Sequence, residues 1–350
     1  MMKILALSKG GTMGNIGTRY GNNRTKLEEV IPLDTPYLVF VDPSSACNFK
    51  CRFCPCAGGN KEVWQENKRV GTMSYEMFRR VVDDLAEFPH QIKTLRLYKE
   101  GEPLLNKHLP SMIRYAKQRN VANSIDLTTN ASLMDRDLAL ALVDAGLDRM
   151  NISIEALDEE GYFNVSGVKI DFERFLSNLE FLYNNRGNCH IFMKISDVGL
   201  NGSKKEEFYE KFGKYCDEIA VEHISPVWPE FELNEGERIT EDKDIYGMEM
   251  SNRKKQEICP YLFYSICINS DGTVSACLMD WNHKLIVGDL STEELKDIWN
   301  GEKMQQMRKN HLLKNKDYYS ACRQCGQLEY AVLDNIDDYS DDLYERCFGE

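Results

Sequence analysis

The sequence contains no run of about 20 apolar residues, the length that a membrane-spanning helix requires. The N-terminus has only a short apolar run and no convincing cleavage site, which argues against a signal peptide. Basic residues are outnumbered by acidic ones, 43 against 56, and the formal net charge is −13. A nucleic-acid-binding protein needs a basic face to neutralise phosphates. These absences predict a cytoplasmic protein with no membrane and no nucleic-acid partner.

Two further patterns are missing. The glycines between residues 10 and 21 follow no predicted strand and precede no Gly-Lys-Ser/Thr, so they do not form a phosphate loop. The six histidines show no metal-ligand spacing. What the sequence does contain is 12 cysteines in 350 residues. In the reducing cytosol, clustered cysteines more often bind metal than form disulfides.

Apolar residues alternate between strand and helix periodicity from residue 37 to residue 224. The predicted strands are 37–42, 94–98, 124–129, 149–155, 190–196 and 218–224, and the predicted helices between them are 74–88, 106–120, 135–146, 171–185 and 203–216. This alternation predicts parallel strands with right-handed crossovers. Six units favour an α/β fold with an open partial (β/α)6 barrel, whose reactive groups lie at the carboxyl ends of the strands.

The rest of the chain differs in character from this barrel. A small α+β unit is predicted near the C-terminus, with a hairpin turn at Asn269-Ser270-Asp271-Gly272 and a helix over 292–310. The predicted organisation is an irregular lead-in over 1–36, the barrel over 37–228, a charged linker over 229–257, the small unit over 258–330 and an acidic, solvated tail over 331–350.

The first cysteine cluster lies just after the first predicted strand. Cys47, Cys51 and Cys54 form a CxxxCxxC pattern. Three thiolates on a four-iron cluster leave one iron with an open position, where a small molecule can bind as it does at a catalytic zinc. A structural zinc site with a distant fourth ligand and a set of unrelated buried thiols are the alternatives. Cys56 breaks the spacing and is predicted to be a spare thiol.

This pattern, with the aromatic Phe53 before the third cysteine, resembles the radical SAM superfamily. The family's Gly-Gly-Glu-Pro motif corresponds to residues 100–103, where Glu100 replaces the first glycine. The resemblance implies a set of residues that bind S-adenosylmethionine (SAM). They are Phe53, Gly101, Glu102, Thr129, Asn130, Ser153, Glu155 and Lys194. For each acidic residue at a strand end, simple solvation is the alternative.

The resemblance also implies the chemistry. The open iron chelates the amino and carboxylate groups of SAM, and an electron from a donor such as flavodoxin or ferredoxin cleaves the sulfonium. The resulting 5′-deoxyadenosyl radical abstracts a hydrogen atom from the substrate. The protein must position the target C–H bond and exclude water.

A second set of cysteines lies in the small unit. Cys259, Cys277, Cys322 and Cys325 can saturate either an iron–sulfur cluster or a zinc ion. The surrounding sequence resembles the SPASM/twitch extension of radical SAM enzymes, including its element of a cysteine, a glycine about a dozen residues later and a second cysteine after four more residues, here Cys259, Gly272 and Cys277.

The extension departs from the full SPASM form, because the two further cysteines of that form are missing after Cys325. The resemblance therefore implies one auxiliary [4Fe–4S] cluster, and two [4Fe–4S] clusters in the whole chain. Cys267 and Cys347 are interpreted as ordinary thiols.

Three functions are compatible with these features: oxidation of a small polyol, maturation of a peptide, and non-enzymatic metal binding. The segment before Cys47 has no winged-helix pattern, and Leu278 stands where sulfatase-maturing relatives place an aspartate base, the nearest acid being Asp280. Twitch-bearing relatives include aminocyclitol dehydrogenases, so alcohol oxidation of a sugar, nucleotide-sugar or aminocyclitol is favoured. Candidates for the proton acceptor, by strand-end position alone, are Tyr98, Lys99, Lys194, Glu222 and His223.

Overall fold

The structure, a computed structural model, describes residues 14–16, 24–57, 71–198, 200, 202–231 and 242–349. In these ranges ten strands form a single sheet. They are β1 (Asn15–Ile16), β2 (Leu38–Val41), β3 (Ile92–Leu97), β4 (Ala122–Thr129), β5 (Arg149–Ile154), β6 (His190–Ser196), β7 (Glu218–Glu222), β8 (Ser265–Ile268), β9 (Thr273–Ser275) and β10 (Ile286–Asp289). Their order across the sheet is β1-β7-β6-β5-β4-β3-β2-β8-β9-β10.

Strands β2 to β7 confirm the predicted α/β fold. Each pairs in parallel with the next along the chain. In the strand order the sheet ends at β1 on one side and β10 on the other, so it is an open partial barrel, as predicted.

Helices connect these strands. In chain order the described helices are α1 (Leu27–Val30), α2 (Tyr75–Leu85), α3 (Leu109–Arg119), α4 (Arg136–Asp144), α5 (Glu159–Ser166), α6 (Phe172–Asn185), α7 (Gly202–Phe212), α8 (Tyr261–Tyr264), α9 (Leu295–Asn300), α10 (Glu302–Leu312), α11 (Ser320–Arg323), α12 (Gln327–Tyr330) and α13 (Ser340–Phe348). All five predicted barrel helices are present, as α2, α3, α4, α6 and α7. The longest described helix has 14 residues, too few to span a membrane.

Alternation within the strands gives the sheet two different faces. One face is apolar and packs on the helices: in β5, Met150, Ile152 and Ile154 are at most 1% exposed and belong to the core. The opposite face carries ion pairs that link different strands of the sheet. These pairs are Arg96–Asp126, Arg149–Glu218 and Lys194–Glu222, at 3.2, 2.9 and 2.6 Å. We call this the polar face, comprising these six residues together with Tyr98, Asn151 and Ser153.

The small C-terminal unit continues the barrel sheet. Strand β8 pairs in parallel with β2, with Leu38 opposite Ser265 and Val41 opposite Ile268. The predicted hairpin is present, because β8 and β9 are antiparallel and the Gly272 N–H donates to the Asn269 carbonyl at 2.9 Å. The barrel and the extension therefore share one continuous sheet, which the sequence analysis did not anticipate.

The predicted helix over 292–310 is two helices, α9 and α10, separated by Gly301. Gly301 has extended backbone angles, φ −71° and ψ 161°. Glycine is a poor helix former because its backbone loses much entropy on ordering. The helix therefore ends before Gly301, and the chain turns there into α10.

Three other segments differ from the expectations. The lead-in is not wholly irregular, because β1 pairs with β7 at the sheet edge. Helix α5 was not predicted. The tail was expected to be solvated, yet it forms α13, whose Leu343 is completely buried while Asp341 and Asp342 remain exposed. An amphipathic helix thus docks through its apolar side and keeps its acids in water.

Candidate functional site

The loop that follows β2 presents Cys47, Cys51 and Cys54 at the carboxyl end of that strand. Cys47 is exposed, and Cys51 and Cys54 are half-buried. The Cys54 N–H donates to the Cys51 carbonyl at 3.0 Å, and the Phe49 N–H donates to the Cys47 sulfur at 3.4 Å. Phe53 lies half-buried in the same turn. These contacts gather three thiols within one short loop.

Helix α5 holds this loop in place. The Lys50 N–H donates to the Ser166 carbonyl at 2.8 Å, and the Arg52 N–H donates to the Val165 carbonyl at 3.2 Å. The helix is short, and Gly161 interrupts its apolar pattern, which is why periodicity did not reveal it. The available signal was Asp158, an N-cap whose side chain accepts from the Gly161 N–H at 2.7 Å.

Gly101 brings the segment after β3 into direct contact with the cysteine loop. A Cβ atom on Gly101 would lie 2.2 Å from the Ala46 carbonyl oxygen and 2.3 Å from that of Ser44. The neighbouring Glu102 N–H donates to the same Ala46 oxygen at 2.8 Å. Only glycine can come this close to the two carbonyl oxygens. This explains in steric terms why residue 101 keeps the second glycine of the Gly-Gly-Glu-Pro motif.

Glu102 is 2% exposed, and its side chain joins the segment after β3 to the end of β4. Its carboxylate accepts from the Thr129 hydroxyl at 2.5 Å, the Asn130 N–H at 2.8 Å and the Leu104 N–H at 3.0 Å. Burial raises the pKa of Glu102 to about 7, although these hydrogen bonds oppose the shift. A carboxylate has about four acceptor positions, so one remains for a ligand.

Glu155, just beyond β5, lies beside the Cys51 thiol. Burial raises the pKa of Glu155 to about 7, and Lys194 opposes that shift. Burial also raises the pKa of Cys51, and the Glu155 charge adds to the effect. The thiol therefore stays protonated until a metal displaces its proton.

Ser153 precedes Glu155 by two residues and lies on the polar face. The predicted SAM-binding residues thus converge from the loop after β2 and the carboxyl ends of β3, β4, β5 and β6.

The five candidates for the proton acceptor fall into different surroundings. The Tyr98 hydroxyl accepts from Arg96 at 3.1 Å, and Lys194 binds Glu222 at 2.6 Å, all on the polar face. His223 and Lys99 lie away from the polar face.

His223 pairs through Nδ1 with Asp197 at 2.6 Å. Strand alternation places its side chain on the opposite side from Glu222. Lys99 is 1% exposed in its side chain, and its ammonium binds Glu100, the Asn269 amide oxygen and the Asp280 carbonyl at 2.6 to 2.8 Å. It is enclosed by the extension.

The second cysteine set borders a single cavity. Cys259 precedes α8, Cys277 follows β9, and Cys322 and Cys325 lie in and after α11. Burial raises the pKa of Cys259 to about 12 and that of Cys325 to about 11. Within the described ranges no three His, Cys, Asp or Glu side chains are arranged around one metal ion, and these four thiols instead surround a shared space.

The remaining lining of this cavity is mostly apolar. Its other members include Leu262, Met279, Leu285, Ala321, Leu328, His311 and Lys316. Four thiols around a mainly apolar space are a donor set that suits an iron–sulfur cluster.

Cys267 and Cys347 do not line this cavity. Cys267 lies in β8 and is completely buried, and Cys347 is half-buried in α13.

Asp280, the acid nearest to Leu278, is also completely buried. Its oxygens accept from the Ser275 hydroxyl and from the N–H groups of Lys284 and Leu285 at 2.7 to 3.0 Å. These bonds give it a structural role in the turn.

Comparison with known proteins matches both parts of the chain. The model of the Radical SAM superfamily matches residues 41–212, and that of SPASM, an iron-sulfur cluster-binding domain, matches residues 259–326. The GTP 3′,8-cyclase of Chlorobaculum tepidum is 28% identical over 194 residues, 53% of each chain. The chain thus spans about half the length of this curated relative.

Solved structures share the fold. BtrN in complex with AdoMet and 2-DOIA has a TM-score of 0.53 at 17% identity, over 85% of this chain and 95% of that one. SuiB of Streptococcus suis, bound to the precursor peptide SuiA, has a TM-score of 0.59 at 14% identity, over 81% of this chain and 69% of that one. At these identities the likeness concerns the fold alone.

Proposed function

Since the chain belongs to the radical SAM superfamily and carries a SPASM domain, we propose that it oxidises an alcohol of a small polyol to a ketone. The substrate class is a sugar, a nucleotide-sugar or an aminocyclitol. The radical SAM domain binds SAM and a four-iron cluster, and the SPASM domain binds auxiliary iron–sulfur clusters. Together these groups supply a carbon radical that removes a hydrogen atom from the substrate.

The site supports the following assignment of residues to these groups. Cys47, Cys51 and Cys54 hold the cluster that binds SAM. The free acceptor position of Glu102 receives the SAM ammonium, and Glu155 lies beside Cys51 on the same edge. Lys194 is close enough to Glu155 to influence its ionisation, and we assign it to the SAM carboxylate as the cationic partner.

The observation that carries the proposal is the four-thiol cavity. Cys259, Cys277, Cys322 and Cys325 together satisfy all four irons of one cluster, so no iron is left for substrate. A saturated cluster can take up an electron but cannot coordinate a substrate. This favours oxidation, in which the substrate must lose an electron after it has lost a hydrogen atom.

The reaction balances with the groups named. The substrate C–H carbon loses a hydrogen atom to the adenosyl carbon, giving 5′-deoxyadenosine. The hydroxyl then loses its proton to a base, and one electron passes to the auxiliary site. The products are a ketone, 5′-deoxyadenosine and methionine, and one external electron starts each turnover.

Glu222 is the proton acceptor that we propose. It is a carboxylate on the polar face, and its side chain is 26% exposed. Lys194, 2.6 Å away, holds it in position and also lies near Glu155. A carboxylate placed this way can take a proton from a substrate hydroxyl that faces the sheet.

The polar face also suits the proposed substrate class. Side chains with fixed hydrogen-bonding groups, such as Arg96, Asp126 and Asn151, can orient several hydroxyls at once. The net charge of −13 does not attract an anionic ligand over long distances, which favours neutral or cationic sugars.

The test is anaerobic incubation of the reconstituted protein with SAM, a reductant and a panel of substrates. The panel contains amino sugars, aminocyclitols, nucleotide-sugars, GTP and short peptides. We expect one polyol to lose two mass units, and the same polyol with deuterium at the reacting carbon to lose three and to transfer that deuterium to 5′-deoxyadenosine. An unchanged mass in H2O together with a gain of one mass unit in D2O would indicate epimerisation instead. A modified peptide would support the alternative function, a peptide maturase.

A further inference from the structure

His311, near the end of α10, borders the cavity of the four cysteines and is 1% exposed. Its Nδ1 accepts a hydrogen bond from the Cys259 N–H at 3.3 Å. Its Nε2 is buried, and no hydrogen-bond partner for it exists among the described residues. Tyr319 stacks on the ring, with planes 19° apart, and so limits its rotation.

These contacts determine which nitrogen carries the proton. A ring nitrogen that accepts a hydrogen bond has no proton of its own, so Nδ1 is unprotonated. A neutral imidazole then has its proton on Nε2. The ring therefore presents an N–H donor that is buried without an acceptor, an arrangement that native proteins rarely leave unexplained.

The cavity contains few groups that can accept this hydrogen bond. The ammonium of Lys316 is a donor and already binds the Cys322 carbonyl at 3.3 Å. The Gln327 amide nitrogen contacts the Met279 sulfur at 3.1 Å. Besides the Tyr261 hydroxyl, the Met279 sulfur and the Gln327 amide oxygen, the side-chain acceptors that line the space are the sulfur atoms of the four cysteines, and among the described residues none of these atoms accepts from Nε2.

We infer that the Nε2–H of His311 donates a hydrogen bond to a sulfur of the auxiliary cluster and thereby raises the reduction potential of that cluster. This inference rests on the four-cysteine ligand set of the proposed function. His311 is a positioning residue and not a ligand, because four thiolates already satisfy the cluster. A hydrogen bond to sulfur stabilises the reduced, more negative state. The cluster becomes a better acceptor for the electron that leaves the substrate.

The test uses the chain with Cys47, Cys51 and Cys54 replaced by alanine, so that only the auxiliary cluster contributes to the spectrum. Two substitutions are compared in this background. His311→Asn keeps an acceptor near Nδ1 for the Cys259 N–H but has no donor near Nε2. His311→Gln places an amide N–H near the Nε2 position. The readouts are iron content and an EPR-monitored redox titration.

We expect all three proteins to bind about four iron atoms. His311→Asn should lower the equilibrium constant for cluster reduction about tenfold. For a one-electron couple this is a fall of roughly 59 mV in the reduction potential. His311→Gln should stay near the parent value. Pulsed EPR in D2O should show an exchangeable proton coupled to the cluster in the parent and Gln proteins and none in the Asn protein.

Three outcomes would overturn the inference. Equal potentials in all three proteins would show that no hydrogen bond from His311 reaches the cluster. Loss of iron in both variants would make His311 a ligand. A parent background without iron would refute the four-cysteine ligand set itself, so this failure is distinguishable from failure of the His311 role alone.

Discussion

Oε1 of Glu100 lies 2.6 Å from Nε2 of His283, and this pair joins the barrel to the extension. The same oxygen accepts from Lys99 at 2.6 Å. The side chains of Glu100 and His283 are 5% and 6% exposed. Glu100 stands where the radical SAM motif has its first glycine. The departure from that motif thus places a carboxylate where it bridges two parts of the chain.

Removing the charge of Glu100 should destabilise the protein. In Glu100→Gln the buried ammonium of Lys99 loses its counterion, and breaking a buried pair costs about 3–5 kcal/mol. We expect the free energy of unfolding of the apo protein to fall by about that amount in urea titrations. The exposed Glu87 offers a control, because Glu87→Gln should change stability by less than about 0.5 kcal/mol. Equal stability of the two variants would show that the bridge contributes nothing.

The barrel was predictable because each of its strands carries a local apolar signal. The segments at 94–98 and 190–196 alternate around buried residues, and the helices between them have strong amphipathic patterns. In the structure, Ser74 and Asp171 cap the starts of α2 and α6, and the side chain of each accepts from a backbone N–H group. Local patterns of this kind do not depend on distant partners.

The features that the sequence did not predict depend on contacts between distant segments. The pairing of β8 with β2 joins residues more than two hundred positions apart, and no local signal encodes it. Lys99 looked like a strand-end candidate for catalysis, but its partners Asn269 and Asp280 come from the extension. The sequence could not reveal the buried Nε2 of His311, which has no partner within the described part of the chain, because its surroundings are a cavity built from four distant segments.

Glu102→Gln should weaken SAM binding. The substitution removes the charge that faces the ammonium, and a hydrogen bond to a charged group contributes about 1.5–3 kcal/mol, or roughly tenfold to a hundredfold in affinity. Equilibrium binding of SAM to the reconstituted protein measures the effect.

Thr129→Val is the matched control for Glu102→Gln. It removes the hydroxyl that donates to Glu102 at 2.5 Å and leaves the carboxylate charge in place. We expect a smaller loss of affinity than in Glu102→Gln. If Glu102→Gln binds SAM as tightly as the parent, Glu102 serves only to clamp the loops together.

Glu222→Gln should separate SAM cleavage from product formation. An amide cannot take the hydroxyl proton, and loss of a general base lowers rates by about 10²–10⁴. We expect 5′-deoxyadenosine to form while ketone formation falls by that factor. Glu218→Gln is the control, because Glu218 lies on the same face of β7 and is paired with Arg149 at 2.9 Å. Equal ketone yields from both variants would exclude Glu222 as the acceptor.

Replacing Cys47, Cys51 and Cys54 together by alanine should abolish 5′-deoxyadenosine formation, because no other cysteines of this chain have a spacing that leaves an open iron. Chromatography of the reaction after anaerobic incubation with SAM and a reductant measures this. Cys189→Ala, at a buried thiol of the barrel, should leave cleavage intact. Continued cleavage in the triple variant would place the SAM cluster elsewhere.

The most direct measurement is iron, zinc and inorganic sulfide per reconstituted chain. We predict about eight irons in the parent and about four in each of two variants, the triple variant above and one with Cys259, Cys277, Cys322 and Cys325 replaced by alanine. Cys267→Ala and Cys347→Ala should keep about eight. If the parent instead holds about four irons together with zinc, the extension is a zinc module that cannot accept an electron, and the proposed oxidation is contradicted.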